Sequence, residues 1–103
     1  MEISSRRRDD DAIEIAIEGE LDLSNAAELR DALFDAIEQN GAGVWIDFQR
    51  CSFIDSTGLR VIVEGARRVS GEYARLGISN LNEQPKRLFE LTMMSRSELL
   101  RFA

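Results

Sequence analysis

The sequence contains no histidine, a single cysteine and a single proline among its 103 residues. Without histidine the chain lacks the usual general base and the usual zinc ligand, so Ser-His and Cys-His nucleophiles and structural zinc sites are excluded. Cys51 has no second cysteine to pair with inside the chain, which favours a reducing compartment. A magnesium site built from carboxylates is not excluded, but no sequence motif indicates one.

Long apolar runs are also missing, because no segment approaches the roughly 18 residues of a bilayer span. We therefore expect a cytoplasmic protein without direct membrane insertion. The chain has 19 acidic and 13 basic residues, and its net charge of -6 repels nucleic-acid phosphates. The one basic cluster, residues 6–8, is followed at once by the three aspartates 9–11. We expect no nucleic-acid partner.

With 44% hydrophobic and 31% charged residues, the composition is that of a globular protein, and we expect one domain over residues 1–103. Alternation of apolar and polar residues predicts strands, most clearly where Ile13, Ile15 and Ile17 share one face. Gly77 is expected to weaken the last strand, and residues 49–54 are predicted to form a loop. The predicted strands span residues 1–8, 12–18, 44–48 and 75–81, with a turn at residues 9–11.

Helical periodicity predicts three longer helices and one short C-terminal helix. Asn25 with Glu28 is typical of a capping box, and Pro85 is predicted to lie in the first turn of the third helix. Ser95 with Glu98 predicts the start of the last helix. The predicted helices span residues 25–41, 57–70, 85–91 and 95–102, and Gly41 and Gly71 end the first two. The residues predicted to face the core are Ala26, Leu29, Leu33, Ala36 and Ile37, then Leu59, Ile62, Val63, Ala66 and Val69, then Leu88, Phe89 and Leu91.

This order of elements predicts an α/β fold with a mixed sheet of about four strands and three to four helices. The central strands are parallel because helices connect them, and the N-terminal strand joins as an antiparallel hairpin. In parallel strands the loops that leave the carboxyl ends lie along one edge, where ligands and partners usually bind. We expect Asp22 and Ser24, residues 55–57, and Asn82 with Glu83 to gather at that edge.

The stretch Asp55-Ser56-Thr57-Gly58 opens the second helix, and three interpretations compete for it. The first is capping alone, because aspartate, serine and threonine are preferred at helix N-termini. A catalytic role is poor, because no neighbouring base can activate Ser56 and the phosphate-binding Gly-x-x-x-x-Gly-Lys pattern is absent. The third is that the displayed hydroxyl accepts a phosphoryl group from another protein, which adds about two negative charges.

Three segments together resemble the successive blocks of the STAS domain family, and in particular the stand-alone bacterial anti-sigma factor antagonists. They are Gly19-Glu20-Leu21-Asp22, Trp45-Ile46-Asp47-Phe48, and the segment from Phe53 to Ile62 that contains Asp55-Ser56-Thr57-Gly58. The similarity extends from about residue 12 to residue 102. Either the first or the last block alone would be a weak signal, whereas their combination is fairly specific.

The resemblance implies that Ser56 is phosphorylated by an anti-sigma factor that is also a serine kinase. The unphosphorylated antagonist binds this partner and frees the sigma factor, and a metal-dependent serine phosphatase reverses the phosphorylation. ATP and magnesium then belong to the kinase, and the chain itself is not an enzyme and needs no cofactor. The implied partner-binding residues are Asp22, Ser24, Asp55, Ser56, Thr57, Gly58 and Arg60.

Two positions depart from the pattern of that family. Many members have a Gly-Leu pair where this chain has Met93-Met94, and this difference leaves the placement of the last helix open. We expect these methionines to fill the core, and an exposed contact patch is the alternative. Many members also have a second serine at position 57, so Thr57 is the less favoured phosphate acceptor. An alternative from another class is a STAS subunit of a membrane lipid-transport ABC complex, which would bind its ATPase without phosphorylation. A small-molecule enzyme ranks third, because no base or metal set is present.

Overall fold

A computed structural model describes residues 1–39, 43–69 and 75–103. Five strands and three α-helices alternate along most of the chain, and a short 3-10 helix, Met94–Arg96, precedes the last strand. The predicted terminal residues Gly41 and Gly71 lie outside the described residues. The elements are β1 (Glu2–Arg7), β2 (Ile13–Leu21), α1 (Ala26–Gln39), β3 (Val44–Ile54), α2 (Ser56–Arg68), β4 (Leu76–Ser79), α3 (Glu83–Leu91) and β5 (Leu100–Phe102).

The strands form one mixed sheet in the order β1-β2-β3-β4-β5. β1 pairs antiparallel with β2, and the other three pairings are parallel. The register places Ile15, Ile46 and Ile78 side by side across the three central strands, and all three are fully buried. The predicted α/β mixed sheet with an antiparallel N-terminal strand is confirmed.

The predicted C-terminal helix is wrong, because residues 100–102 form a fifth strand instead. Without a fifth strand, one edge of β4 would have unpaired backbone groups. β5 pairs with this edge, and Leu76 N–H donates to the carbonyl of Leu99 at 3.1 Å. Leu100 is buried opposite Leu76. The hydroxyl of Ser97 accepts from Leu99 N–H at 3.1 Å in the turn before this strand. Pairing with a strand distant in sequence therefore overrides the local helical signal.

The predicted loop at residues 49–54 is also wrong, because β3 continues through it to Ile54. β2 and β3 stay paired across two register shifts, so that Leu21 lies opposite Ile54. The side-chain amide of Asn82 donates to the carbonyl oxygens of Phe48 and Cys51, at 3.1 and 2.9 Å, and stabilises this irregular stretch from the next loop. β2 and β3 thereby end side by side.

The two faces of the sheet differ in their residues. Apolar side chains of the strands and helices form one core, in which the ring of Phe89 on α3 packs edge-on against Phe48 at a centroid distance of 6.1 Å. On the other face Trp45 lies beside Gly77, where a Cβ atom would collide with the indole ring. Gly77, predicted only to weaken β4, therefore makes room for this ring.

Most predicted helix faces are confirmed, with small differences. In α2 the buried valine is Val61, whereas Val63 and the C-cap residue Val69 are only partly buried. Leu91 at the end of α3 is 75% exposed, so its predicted place in the core is wrong. Pro85 lies in the first turn of α3 as predicted.

The two methionines after α3 behave differently from each other. Met94 packs partly against the core, whereas Met93 is 59% exposed and has a left-handed backbone with φ of 64°. The prediction that both fill the core is therefore wrong for Met93. Glycine adopts a left-handed backbone just after a helix without strain.

Among the described residues, no helix combines the length and apolar character that crossing a bilayer requires.

Candidate functional site

The carboxyl ends of β2 and β3 lie next to each other and define the candidate site. Leu21 and Ile54 are paired across the two strands and are fully buried. The chain leaves β2 into the turn that precedes α1, and it leaves β3 directly into α2. Asp22 and Asp55, which are far apart in sequence, therefore follow paired residues at one edge of the sheet.

Asp55 is the N-cap of α2 and also ties α2 to the turn after β2. Its Oδ1 accepts a hydrogen bond from Gly58 N–H at 2.9 Å, and its Oδ2 accepts from Leu23 N–H at 3.1 Å. Its own N–H donates to the carbonyl of Leu21 at 3.1 Å. The carboxylate thus satisfies one free amide of the helix start and one of the neighbouring loop.

The turn after β2 is held by its own polar side chains. Asp22 N–H donates to Oδ1 of Asn25 at 2.9 Å, and the side-chain amide of Asn25 donates to the carbonyl of Glu20 at 2.9 Å. The predicted capping box of Asn25 is therefore not formed, because this side chain bonds backward into the turn. Backbone amides 25 and 26 both donate to the carbonyl of Asp22.

Asp22 carries a carboxylate stabilised by its neighbour. Oδ1 of Asp22 accepts from the hydroxyl of Ser24 and, at 2.9 Å, from Ser24 N–H. The hydroxyl bond first and the amide bond second lower the pKa of the Asp22 carboxyl below its ordinary value. Asp22 is therefore ionised at neutral pH, and it places a fixed negative charge at this edge.

Ser56 is the first residue of α2 and is exposed. Because Asp55 takes the N-cap position, the hydroxyl of Ser56 is not needed to cap the helix. Among the residues that the structure describes, this hydroxyl has no hydrogen-bond partner. Thr57 is half-buried, and Arg60 is exposed one turn further along.

Gly58 is buried in the first turn of α2. A Cβ atom at this position would lie 2.8 Å from both Cγ and Cδ2 of Leu21. The small residue therefore lets the first turn of α2 approach the end of β2. Its membership of the partner-binding surface stays a prediction.

Asn82 and Glu83 were predicted to join Asp22 and Asp55 at this edge, and the structure brings them there only in part. Asn82 bonds to the backbone of β3, and Glu83 is exposed at the start of α3. The link to the site comes from Gln84, which no sequence pattern predicted. Its side chain accepts from Ile54 N–H and donates to the carbonyl of Ile54, each at 2.9 Å.

Leu23 is the other residue that the sequence analysis missed. It is 76% exposed, and its N–H is the group that Asp55 binds. The available signal was an apolar residue between two polar ones in a turn after a buried strand. Among the described residues, no group of three cysteine or carboxylate side chains is placed to hold a metal ion.

Comparison with known proteins gives relatives over most of the chain. The chain is 36% identical over 86 residues to the anti-sigma-B factor antagonist of Bacillus subtilis strain 168, covering 84% of this chain and 78% of that protein. It is 33% identical over 93 residues to the anti-sigma-B factor antagonist of Listeria monocytogenes serovar 1/2a, covering 90% and 82%.

Solved structures share the fold at lower sequence identity. The unphosphorylated form of the anti-sigma factor antagonist SpoIIAA matches with a TM-score of 0.80 and 20% identity, over 99% of this chain and 88% of that one. The phosphorylated form of SpoIIAA from Bacillus matches with a TM-score of 0.72 and 22% identity, over 99% and 91%. The family model described as "Mlab, STAS domain" matches residues 4–101. With this match over nearly its whole length, the chain belongs to the STAS domain family.

Proposed function

We propose that this chain is an anti-sigma factor antagonist and acts as a binding switch controlled by phosphorylation of Ser56. The unphosphorylated form binds an anti-sigma factor, which is also a serine kinase, and so releases the sigma factor. Phosphorylation ends this binding, and a metal-dependent serine phosphatase restores it. The observation that carries the proposal is the exposed hydroxyl of Ser56, which has no partner among the described residues. The Bacillus and Listeria relatives are by name antagonists of an anti-sigma-B factor.

The surroundings of Ser56 suit a phosphate acceptor better than a catalytic nucleophile. The chain contains no histidine, and both oxygens of the adjacent Asp55 carboxylate already accept backbone hydrogen bonds. No general base is therefore at hand to activate the hydroxyl. In the proposed reaction the partner kinase supplies ATP and magnesium. The γ-phosphorus bonds to Oγ of Ser56, ADP leaves, and the proton of the hydroxyl passes to a base of the kinase.

The added phosphate changes binding more than folding. At the first residue of α2 the positive end of the helix dipole favours the new charge, and the neighbouring Asp55 opposes it. A partner carboxylate at about 6 Å would be repelled by about 1.4 kcal/mol at a dielectric constant of 80, and by about 5.5 kcal/mol at 20. A hundredfold loss of affinity requires only about 2.7 kcal/mol. Electrostatic repulsion of this size is sufficient for a switch.

The proposed docking edge consists of the polar side chains around Ser56. Asp22 contributes an ionised carboxylate, and Asp55 holds the two loops in register. Arg60 is exposed on α2, and no ion pair engages it among the described residues. A partner surface of mixed charge is therefore expected. The docking edge comprises Asp22, Ser24, Asp55, Ser56, Thr57 and Arg60, together with Gly58 in the first turn of α2.

The proposal places the chain in the cytoplasm, because a sigma factor and its regulators act on RNA polymerase there. Binding to nucleic acid is not part of it. Arg6, Arg7 and Arg8 are paired with Glu14, Asp11 and Asp10, at 3.1, 2.8 and 3.2 Å respectively. Their charge is thus neutralised locally.

A second candidate function is kept, because the matched family model is described as "Mlab, STAS domain" and not as an anti-sigma factor antagonist. In this alternative the chain is a subunit of a membrane lipid-transport ABC complex. The same edge would hold the ATPase of that complex permanently, and Ser56 would not be phosphorylated. The two candidates differ in whether a charge at position 56 abolishes binding.

The deciding experiment is affinity capture from the native host with four baits. These are the wild type, Ser56→Ala, Ser56→Glu and the control Ser4→Glu, which adds the same charge at an exposed serine on β1. Intact-mass analysis of the recovered wild-type bait reports phosphorylation directly. We expect a small serine kinase to be retained by every bait except Ser56→Glu.

Two results would refute the whole proposal, and a third would refute the assignment to Ser56. One is retention of the kinase by Ser56→Glu as strongly as by Ser4→Glu. The other is recovery of transporter subunits by all four baits, which would support the second candidate. If Ser4→Glu also lost the kinase, added negative charge anywhere on the protein would be the cause, and the assignment to Ser56 would fail.

A further inference from the structure

Leu23 is an exposed apolar side chain in an otherwise polar part of the surface. It is 76% exposed and lies between Asp22 and Ser24 in the turn after β2. It belongs neither to the core nor to the partly buried residues that pack against the core. The folded chain therefore gains little from this leucine, although burying it against another molecule would remove considerable apolar surface from water.

The backbone around Leu23 is fixed from both sides. Its N–H donates to Oδ2 of Asp55 at 3.1 Å, which ties it to the start of α2. On either side, Asp22 N–H donates to the side chain of Asn25, and Ser24 N–H donates to the side chain of Asp22, each at 2.9 Å. An exposed side chain on a rigid turn loses little backbone entropy when it binds, so more of its burial contributes to affinity.

The position of Leu23 couples it to the proposed phosphorylation site. One oxygen of Asp55 binds Leu23, and the other binds the first turn of α2, whose first residue is Ser56. The ionised carboxylate of Asp22 precedes Leu23 directly in the chain. A protein that docks over Ser56 therefore meets an apolar side chain with a negative charge beside it.

We infer that Leu23 is an apolar anchor through which the docking edge binds the anti-sigma factor. This inference rests on the proposed function. The anti-sigma factor that fits this edge has an apolar pocket for Leu23, and it has a cationic group at the rim of that pocket for Asp22. Central apolar anchors with polar surroundings carry most of the binding energy in many interfaces.

The test measures affinity for the serine kinase that the wild-type bait retains, purified and titrated against four variants. Leu23→Ala is expected to weaken binding by about 10-fold to 100-fold, the effect of an anchor residue. Leu23→Met keeps the apolar volume and is expected to stay within about threefold of the wild type. Leu91→Ala is the matched control, because Leu91 is 75% exposed at the far end of α3. Ser56→Glu reports on the proposed function independently.

The outcomes separate the two proposals. The anchor is supported if Leu23→Ala and Ser56→Glu lose affinity for the kinase while Leu23→Met and Leu91→Ala bind nearly as tightly as the wild type. Full binding by Leu23→Ala together with loss by Ser56→Glu overturns the anchor and leaves the proposed function standing. An equal loss for Leu91→Ala also overturns it, because the effect would not be specific to this edge. If the wild type retains no kinase, both proposals fail. Thermal unfolding of each variant checks that the exposed substitutions leave the fold intact.

Discussion

Replacing Asp55 with alanine should destabilise the fold through two separate hydrogen bonds. The side chain accepts from Gly58 N–H at 2.9 Å, within the first turn of α2, and from Leu23 N–H at 3.1 Å, in the turn after β2. Alanine removes both acceptors and leaves both amides without a protein partner. The two bonds can be tested apart, because asparagine is as good an N-cap as aspartate but offers only one oxygen.

The expected size follows from the two bonds. Loss of an N-cap costs about 1 kcal/mol, and loss of the second hydrogen bond, which has a charged acceptor near the surface, costs about another 1 kcal/mol. Asp55→Ala should therefore lower the free energy of unfolding by about 2 kcal/mol, and the midpoint of thermal unfolding by roughly 10 °C. Asp55→Asn should keep the N-cap hydrogen bond and lower the free energy of unfolding by only about 1 kcal/mol.

Urea unfolding followed by circular dichroism measures these free energies, and amide hydrogen exchange assigns them to the two bonds. In Asp55→Asn the exchange of the Leu23 amide should accelerate while that of Gly58 stays protected. Asp31→Ala is the control, because Asp31 is an exposed residue of α1 without a side-chain hydrogen bond among the described residues. It should change the free energy of unfolding by less than about 0.5 kcal/mol. If Asp55→Asn lowered the free energy of unfolding as much as Asp55→Ala, the two hydrogen bonds would not contribute separately, and this reasoning would be refuted.

Three further substitutions test other parts of the structure. Gly58→Ala should lower the free energy of unfolding by about 1 kcal/mol in urea unfolding, because the collision of its Cβ with Leu21 at 2.8 Å outweighs the better helix propensity of alanine. Met93→Gly should raise it by about 0.5 to 1 kcal/mol in the same assay, because glycine adopts the φ of 64° without strain. The pKa of the Asp22 carboxyl, followed by NMR, should lie below its ordinary value and rise in Ser24→Ala. Because folding lowers this pKa, the stabilisation is present above the pKa of the unfolded chain and is lost as the pH falls through that of the folded protein.

For each of these substitutions, one result would contradict the expectation. A Gly58→Ala protein as stable as the wild type would mean that Leu21 moves away at no cost. A destabilised Met93→Gly protein would mean that the methionine side chain contributes more than its backbone costs. An Asp22 pKa that Ser24→Ala does not change would show that the hydroxyl bond does not stabilise the carboxylate in solution.

Much of the fold could be predicted because its signals are local and periodic. The alternation around Ile15 predicts β2, and apolar spacing with a preceding Asp55 predicts α2. The candidate site was likewise visible, since polar residues directly follow two apolar strands. The C-terminal strand was not predicted, because Leu99 and Phe102 have the i, i+3 spacing of a helical face, and a strand of only three residues gives a weak alternation signal. Gln84 was also missed, since its two bonds to Ile54 join residues 30 positions apart.

By itself, the sequence determined the order of the main strands and helices, the mixed sheet and the Asp55-Ser56 pair at a helix start. These features follow from the spacing of apolar residues and from the chemistry of neighbouring side chains. Only the tertiary structure decided that Asp55 rather than Ser56 caps α2, and that the chain ends in a strand beside β4. It also decided that Leu23 lies at the edge with Ser56, because Leu23 N–H donates to Asp55, the residue before Ser56, and this bond joins residues 32 positions apart. Such contacts form only when distant segments are packed together, so no local pattern in the sequence reports them.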